Sequence, residues 1–294
     1  MASVTPRGSH GHEVDVGAAL ELIEFFCASK VDGIALLGST GEFVNLAIEE
    51  RNRLVNLAIK RSRVPVIVGV SHSSLDVAVD LGREAISAGA EGLLLMPPYF
   101  FRYSQEDIRE FYLEFLRQAG TGAAVYLYNV PQFTNEIKPE TAVELLSTGL
   151  FAGIKDSSGK YEYFQTMKDL RGRQPFTLLI GNDAVFTPAR RAGADGVVSG
   201  VSCAVPELMT ALDRAIRKGA EDAIDCLEER LREFLNWLDR FPTPIGIKLA
   251  AALRGLHVGP CAIPLSMNRK LAAEEFREWF RTWLPAVQRE AANV

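Results

Sequence analysis

The 294-residue sequence has no run of about 18 apolar residues, the length a membrane-spanning helix needs, so none is expected. Its four cysteines, Cys27, Cys203, Cys226 and Cys261, are far apart and form no Cys-x-x-Cys pair. That spacing argues against a disulfide framework or a cysteine zinc site and suits a reducing cytosol. Of four histidines only His10 and His12 are close, in a glycine-rich stretch where such residues are usually solvated, and no metal is expected. The net charge is −5 and no basic stripe dominates, which argues against a nucleic-acid partner. The glycine-rich turn of a dinucleotide fold is missing, as is the Gly-Lys-Ser/Thr ending of a nucleotide phosphate loop. The first residues, Met1-Ala-Ser-Val-Thr-Pro-Arg7, lack a signal-peptide apolar core, so a cytoplasmic location is expected.

What is present is a repeated phrase. Ala88-Gly-Ala-Glu-Gly92 opens an apolar stretch, Ala192-Gly-Ala-Asp-Gly196 opens another, and Val31-Asp-Gly33 echoes both. Each reads as a helix ending in small residues followed by a buried strand. Between the copies lie Val64–Val70, Ala124–Tyr128, Phe151–Lys155 and Phe176–Gly181, short runs suited to parallel strands buried on both faces. Helical patterns fall at about 14–29, 46–61, 74–88, 104–119, 138–147, 159–171, 183–193 and 205–219. With Val4-Thr5 as a very short first strand, the count is eight strands, each followed by a helix. This predicts an α/β fold, a (β/α)8 TIM barrel over 1–219, with an open doubly wound sheet as the alternative. Residues 220–294 read as a C-terminal helical extension packed on the barrel, built from Glu221–Phe241, Thr243–Leu253 and Ala272–Glu290.

In such barrels chemistry sits at the C-terminal strand ends. Phe151-Ala-Gly-Ile-Lys-Asp156 ends an apolar strand in a lysine, a costly place for an ammonium. Lys155 either pairs with Asp156 or another acid in an ordinary loop, or is an amine kept neutral by burial that forms a Schiff base with a carbonyl. Gly38-Ser-Thr-Gly-Glu42 either caps the following helix or cradles a carboxylate with its N–H groups and the Ser39 and Thr40 hydroxyls. Tyr128 reads as packing or as a proton shuttle. Phe100, Phe101 and Phe133 read as core packing or as an apolar wall around Lys155.

Gly38-Ser-Thr-Gly-Glu42, Tyr128-Asn-Val-Pro131 and Gly153-Ile-Lys-Asp-Ser157, in this order and at strand ends, resemble the dihydrodipicolinate synthase / N-acetylneuraminate lyase family. The likeness runs from Val4-Thr-Pro6 to Lys248–Leu256. It implies a class I Schiff-base lyase acting on pyruvate or a 2-oxo acid, without metal or organic cofactor, commonly a homotetramer built as a dimer of dimers. It implies Lys155 as the imine-forming lysine, Tyr128 as the acid/base, Ser39 and Thr40 on the pyruvate carboxylate, and Gly181 and Val198 lining the site. Two positions depart from the synthases. Phe100 stands where they carry a second tyrosine reaching a neighbouring subunit's site, and Phe133 stands where they carry an arginine for the carboxylate of aspartate semialdehyde. A phenyl ring has no fork of donors for that carboxylate.

The leading expectation is therefore an aldolase or dehydratase of 2-oxo acids, with a 2-keto-3-deoxy sugar acid, or an aromatic or small aldehyde adduct, as the substrate and an aldehyde as the second partner. The alternatives are 4-hydroxy-tetrahydrodipicolinate synthase, and a barrel that binds a 2-oxo acid without catalysis.

Overall fold

The computed structural model describes residues 1–8, 13–120 and 122–294; His10 and His12 lie outside them. In chain order the elements are α1 (Val16–Ala28), β1 (Ile34–Leu36), α2 (Ile48–Arg61), β2 (Val66–Gly69), α3 (Leu75–Ala88), β3 (Gly92–Leu95), α4 (Gln105–Ala119), β4 (Ala124–Asn129), α5 (Pro139–Ser147) and β5 (Gly153–Asp156). They continue as α6 (Tyr161–Arg171), β6 (Thr177–Ile180), α7 (Phe186–Arg191), β7 (Gly196–Val197), α8 (Val201–Ala204), α9 (Pro206–Lys218), α10 (Glu221–Leu238), α11 (Ile245–Leu253) and α12 (Met267–Ala292).

Local chemistry sets the helix starts. The Asp15 carboxylate accepts from the Ala18 N–H at 3.0 Å ahead of α1, and Ser104 with Asp107 closes a capping box on α4. Pro139 and Pro206 occupy first-turn seats where a missing N–H costs nothing. Ser266 caps α12, which therefore begins five residues before the expected Ala272. No helix among the described residues is long and apolar enough to cross a membrane.

The described residues divide into two compact units, Pro65–Val198 and Met1–Val64 with Ser199–Val294. In the first, β2 to β7 pair in chain order and all in parallel. The repeated phrase works the same way in both its copies here. Gly89 and Gly193 take φ of +94° and +106°, which ends α3 and α7. The next acid then starts the strand: the Glu91 N–H donates to Val66 O at 2.9 Å, and the Asp195 N–H to Leu178 O at 3.0 Å.

In the second unit β1 is buried along its whole length. The expected first strand at Val4-Thr5 does not form as a strand, and the described residues carry seven named strands, not eight. The chain start makes one isolated parallel bridge, Ala2 opposite Ala35, closed by Ser3 N–H to Ala35 O at 2.9 Å and Ala35 N–H to Met1 O at 2.7 Å, while Ala2 N–H donates to Ser199 O at 2.8 Å. Past that point the Val4 N–H meets the Cys203 sulfur, Thr5 Oγ1 donates to Gly41 O, and Pro6 has no N–H, so no ladder can continue. Burial pushes that Cys203 thiol up to about 11. The α10 and α12 helices join through Phe234, Phe276, Phe280 and Trp283, whose rings lie 5.2–6.2 Å from one another or from Phe234. The protein is an α/β fold in which every strand-to-strand ladder of Pro65–Val198 is parallel.

Candidate active site

Strand β5 is buried at all four positions, and Lys155 is 3% exposed. Parallel register sets it opposite Tyr128 of β4 and Leu179 of β6. Its Nζ stands 4.0 Å from the centre of the Tyr128 ring, and Tyr128 is itself 1% exposed. The sequence left open an ordinary pair with Asp156, which is not formed. Successive side chains of a strand point to opposite faces, and the Asp156 carboxylate is occupied on its own side. It accepts from Asn129 Nδ2 at 2.8 Å, Ser158 Oγ at 2.8 Å and the Ser158 N–H at 3.1 Å. Burial still holds the Asp156 carboxyl above the usual range, against the pull of the Ser158 and Asn129 donors. Asn129 Oδ1 in turn accepts from the Ile137 N–H at 3.1 Å, tying the loop after β4 to the same network. Among the described residues no acid pairs with Lys155.

The ladder continues one step past β5, because the Ser157 N–H donates to Asn129 O at 2.8 Å. Two residues beyond Lys155, Ser157 therefore returns to the lysine's face of the strand. Its hydroxyl is buried and has no partner among the described residues. Gly181, just past β6, makes room for both groups. A Cβ there would lie 2.0 Å from Ser157 Oγ and 2.7 Å from Lys155 Cε, so no larger residue fits without moving them. Val198, at the end of β7, is buried and donates its N–H to Ile180 O at 2.8 Å. Lys155, Tyr128 and Gly181 thus come together, with Ser157 as a functional candidate to which the sequence reading gave no role. Its signal was the spacing of two from the lysine at a strand end.

Phe100, Phe101 and Phe133 are 89%, 63% and 57% exposed, so none is core packing. Phe100 takes φ of +80° at the tip of a loop held by Asn135, whose Nδ2 donates to Pro98 O and Phe101 O at 2.7 and 2.8 Å.

Ser39 and Thr40 belong to the other unit, where Thr40 is buried and Ser39 half-buried. They do not cap the next helix: a 3-10 turn at Phe43–Asn45 intervenes, and α2 starts after Ala47 without a side-chain cap. The Gly41 and Glu42 N–H groups are spent inside the turn, on Gly38 O at 3.0 Å and Ser39 O at 3.1 Å. Those two N–H groups are therefore not the ones that would meet a carboxylate. No three His, Cys, Asp or Glu among the described residues are placed to hold a metal ion.

Residues 1–281 match the Dihydrodipicolinate synthetase family. The 4-hydroxy-tetrahydrodipicolinate synthase of Methanosphaerula palustris is 31% identical over 268 residues, covering 90% of this chain and 91% of its own. Among solved structures, YagE of E. coli K12, a prophage protein of the dihydrodipicolinic acid synthase family in complex with pyruvate, superposes with a TM-score of 0.87. It is 26% identical and covers 96% of this chain and 97% of its own. The dihydrodipicolinate synthase of Aquifex aeolicus gives a TM-score of 0.88 at 27% identity, with 96% of each chain covered. The chain belongs to the dihydrodipicolinate synthetase family and is a lyase of the class I Schiff-base type.

Proposed function

We propose that the protein is an aldolase or dehydratase of 2-oxo acids, acting through an imine on Lys155, with a 2-keto-3-deoxy sugar acid as its substrate. The observation that carries the reading is a lysine buried to 3% exposure with no acid partner among the described residues, its amine 4.0 Å from the centre of a phenol ring. In this reading the neutral amine of Lys155 attacks C2 of the substrate and water leaves with a proton supplied through Tyr128. The cationic imine then draws the electron pair of the C3–C4 bond. The C4 hydroxyl gives up its proton, an aldehyde departs, and an enamine of pyruvate remains. Protonation at C3 and hydrolysis return pyruvate and free Lys155. Ser39 and Thr40 hold the carboxylate, Ser157 meets a substrate hydroxyl, and Gly181 and Val198 line the site. Phe133 and Phe100 border the aldehyde end.

Residues 1–219 form the closed (β/α)8 barrel in this proposal, with the chain start around Val4-Thr5 in the place of its first strand and 220–294 as its helical extension. The match to YagE over 96% of the chain supports that arrangement. The working form is a cytoplasmic homotetramer, a dimer of dimers, which sedimentation velocity tests.

Borohydride reduction in the presence of pyruvate is the direct test of the chemistry. It is expected to fix a stable adduct on Lys155. No mass gain, or a gain that survives Lys155→Ala, overturns the reading. A screen of sugar-derived 2-oxo acids and of aldehydes then names the substrate.

The synthase reading has in its favour several relatives that bear that name, among them the 31% identical one of Methanosphaerula palustris. Against it stands Phe133, which offers no donors to a second carboxylate. Turnover of pyruvate with aspartate semialdehyde by enzyme that traps pyruvate would establish the synthase instead.

A further inference from the structure

We infer that Lys248 is a positioning residue that holds the Ser39–Thr40 turn in its carboxylate-binding shape by gripping Glu42; this rests on the proposed role of Ser39 and Thr40. The turn is bracketed by two non-glycine residues with left-handed backbones, Leu37 at φ +56° and Glu42 at φ +52°. L side chains rarely adopt that conformation, and it persists where the surroundings impose it. Between the brackets the chain closes on itself: a Cβ on Gly41 would lie 2.9 Å from Leu37 N and 3.3 Å from Ser3 O. Thr5 Oγ1 fixes the far side by donating to Gly41 O at 2.7 Å.

A glycine would occupy the Glu42 seat with less strain. The chain instead places a carboxylate there, 8% exposed, in an ion pair with the 3% exposed ammonium of Lys248. The same turn of α11 reaches the cradle a second time. Ile247 Cδ1 and Thr40 Oγ1 lie 2.9 and 3.4 Å from the point a Cβ on Gly200 would occupy, so the two side chains share the space that glycine leaves. A buried ion pair is a poor way to gain stability, since apolar residues of the same size do as well. What it adds here is direction. The carboxylate must meet one fixed point, and meeting it holds the Glu42 backbone in the left-handed well. Because Glu42 neutralises the ammonium, Lys248 acts on the substrate carboxylate through the shape of the turn.

The test uses the full-length protein and borohydride trapping on Lys155, with pyruvate and with pyruvamide, its neutral analogue. Two proteins are made, Lys248→Met and the neutral pair Lys248→Met/Glu42→Gln, the second because the first leaves a buried carboxylate unpaired. In the neutral pair the pyruvate concentration for half-maximal trapping is expected to rise about tenfold or more. That for pyruvamide stays within about twofold, and the fraction trapped at saturation is unchanged. A merely structural role moves both ligands together, and that outcome overturns the inference. So does a folded neutral pair that takes pyruvate as the parent does, or a neutral pair that does not fold. Ser39→Ala/Thr40→Val separates the two readings. If it raises the pyruvate value while the neutral pair does not, only the Lys248 inference falls. If it leaves pyruvate unchanged, the carboxylate cradle itself falls, and this inference with it.

Discussion

Lys155 and Lys248 are buried to the same extent, 3% exposed each, in opposite electrostatic company. Lys248 meets the Glu42 carboxylate. Lys155 lies over the Tyr128 ring, and the acid beside it in sequence is held by Asn129 and Ser158 on the opposite face of the strand. Removing an ammonium from water costs several kcal/mol unless a partner offsets it. The fold meets that cost at Lys248 with a charge and leaves it largely unmet at Lys155. The difference teaches that burial alone does not mark a nucleophilic lysine. Burial without a carboxylate is what the proposed imine chemistry needs, because an amine held in an ion pair is not free to bond a carbonyl.

The comparison breaks first, and with the largest effect, at the two lysines themselves. Lys155→Ala is expected to lower turnover by more than about ten-thousandfold and to leave the unfolding midpoint unchanged or higher, as read by steady-state kinetics and thermal melts. Lys248→Met should do the reverse to the fold, destabilising it by about 3–5 kcal/mol because Glu42 is left buried and unpaired. Equal melts for the two variants would erase the distinction drawn between them.

Smaller effects sharpen the account of the unpaired lysine. Tyr128→Phe keeps the ring under the amine and removes only the hydroxyl. Turnover should fall by about a hundred- to a thousandfold while borohydride still traps pyruvate on Lys155; full activity would remove Tyr128 from proton transfer. Gly181→Ala pushes on Lys155 Cε and Ser157 Oγ, and a displacement of that kind is expected to lower kcat/KM by about a hundredfold. Little change there would mean that the amine has more room than the close approach allows.

The smallest effect concerns Asp156. Its folded-state carboxyl is raised by burial, so the native state holds the proton more tightly than the unfolded chain does. Its contribution to stability is then greatest below the unfolded carboxyl range and declines as pH rises through the folded one. Denaturant melts across acid to neutral pH should show the parent losing stability relative to Asp156→Asn. A parent that gains stability relative to Asp156→Asn as pH rises contradicts that direction.

Much of this was legible in the residues. The Ala-Gly-Ala-acid-Gly phrase located two strand starts to within a residue, because a left-handed glycine and the N–H of the acid two residues on act locally. The strand ends that carry Lys155 and Tyr128 were readable for the same reason, and so was their adjacency, since consecutive parallel strands tend to pair. The missing first strand was not. Val4 has a strand-like side chain, but its N–H meets the Cys203 sulfur, a contact no local pattern announces. Nor was the fate of Phe100 and Phe133 readable: aromatic rings at loop tips look the same in a string whether they end inside or outside.

The order of strands and helices, the caps and the two residues set opposite each other on β4 and β5 were determined by the sequence alone, since periodicity and capping act over a few residues. The partner of each buried charge was decided only by the tertiary structure. Glu42 and Lys248 are joined across most of the chain, while Asp156, one residue from Lys155, is turned away by the pleat. Electrostatic pairing depends on distance through space, and the sequence records only distance along the chain.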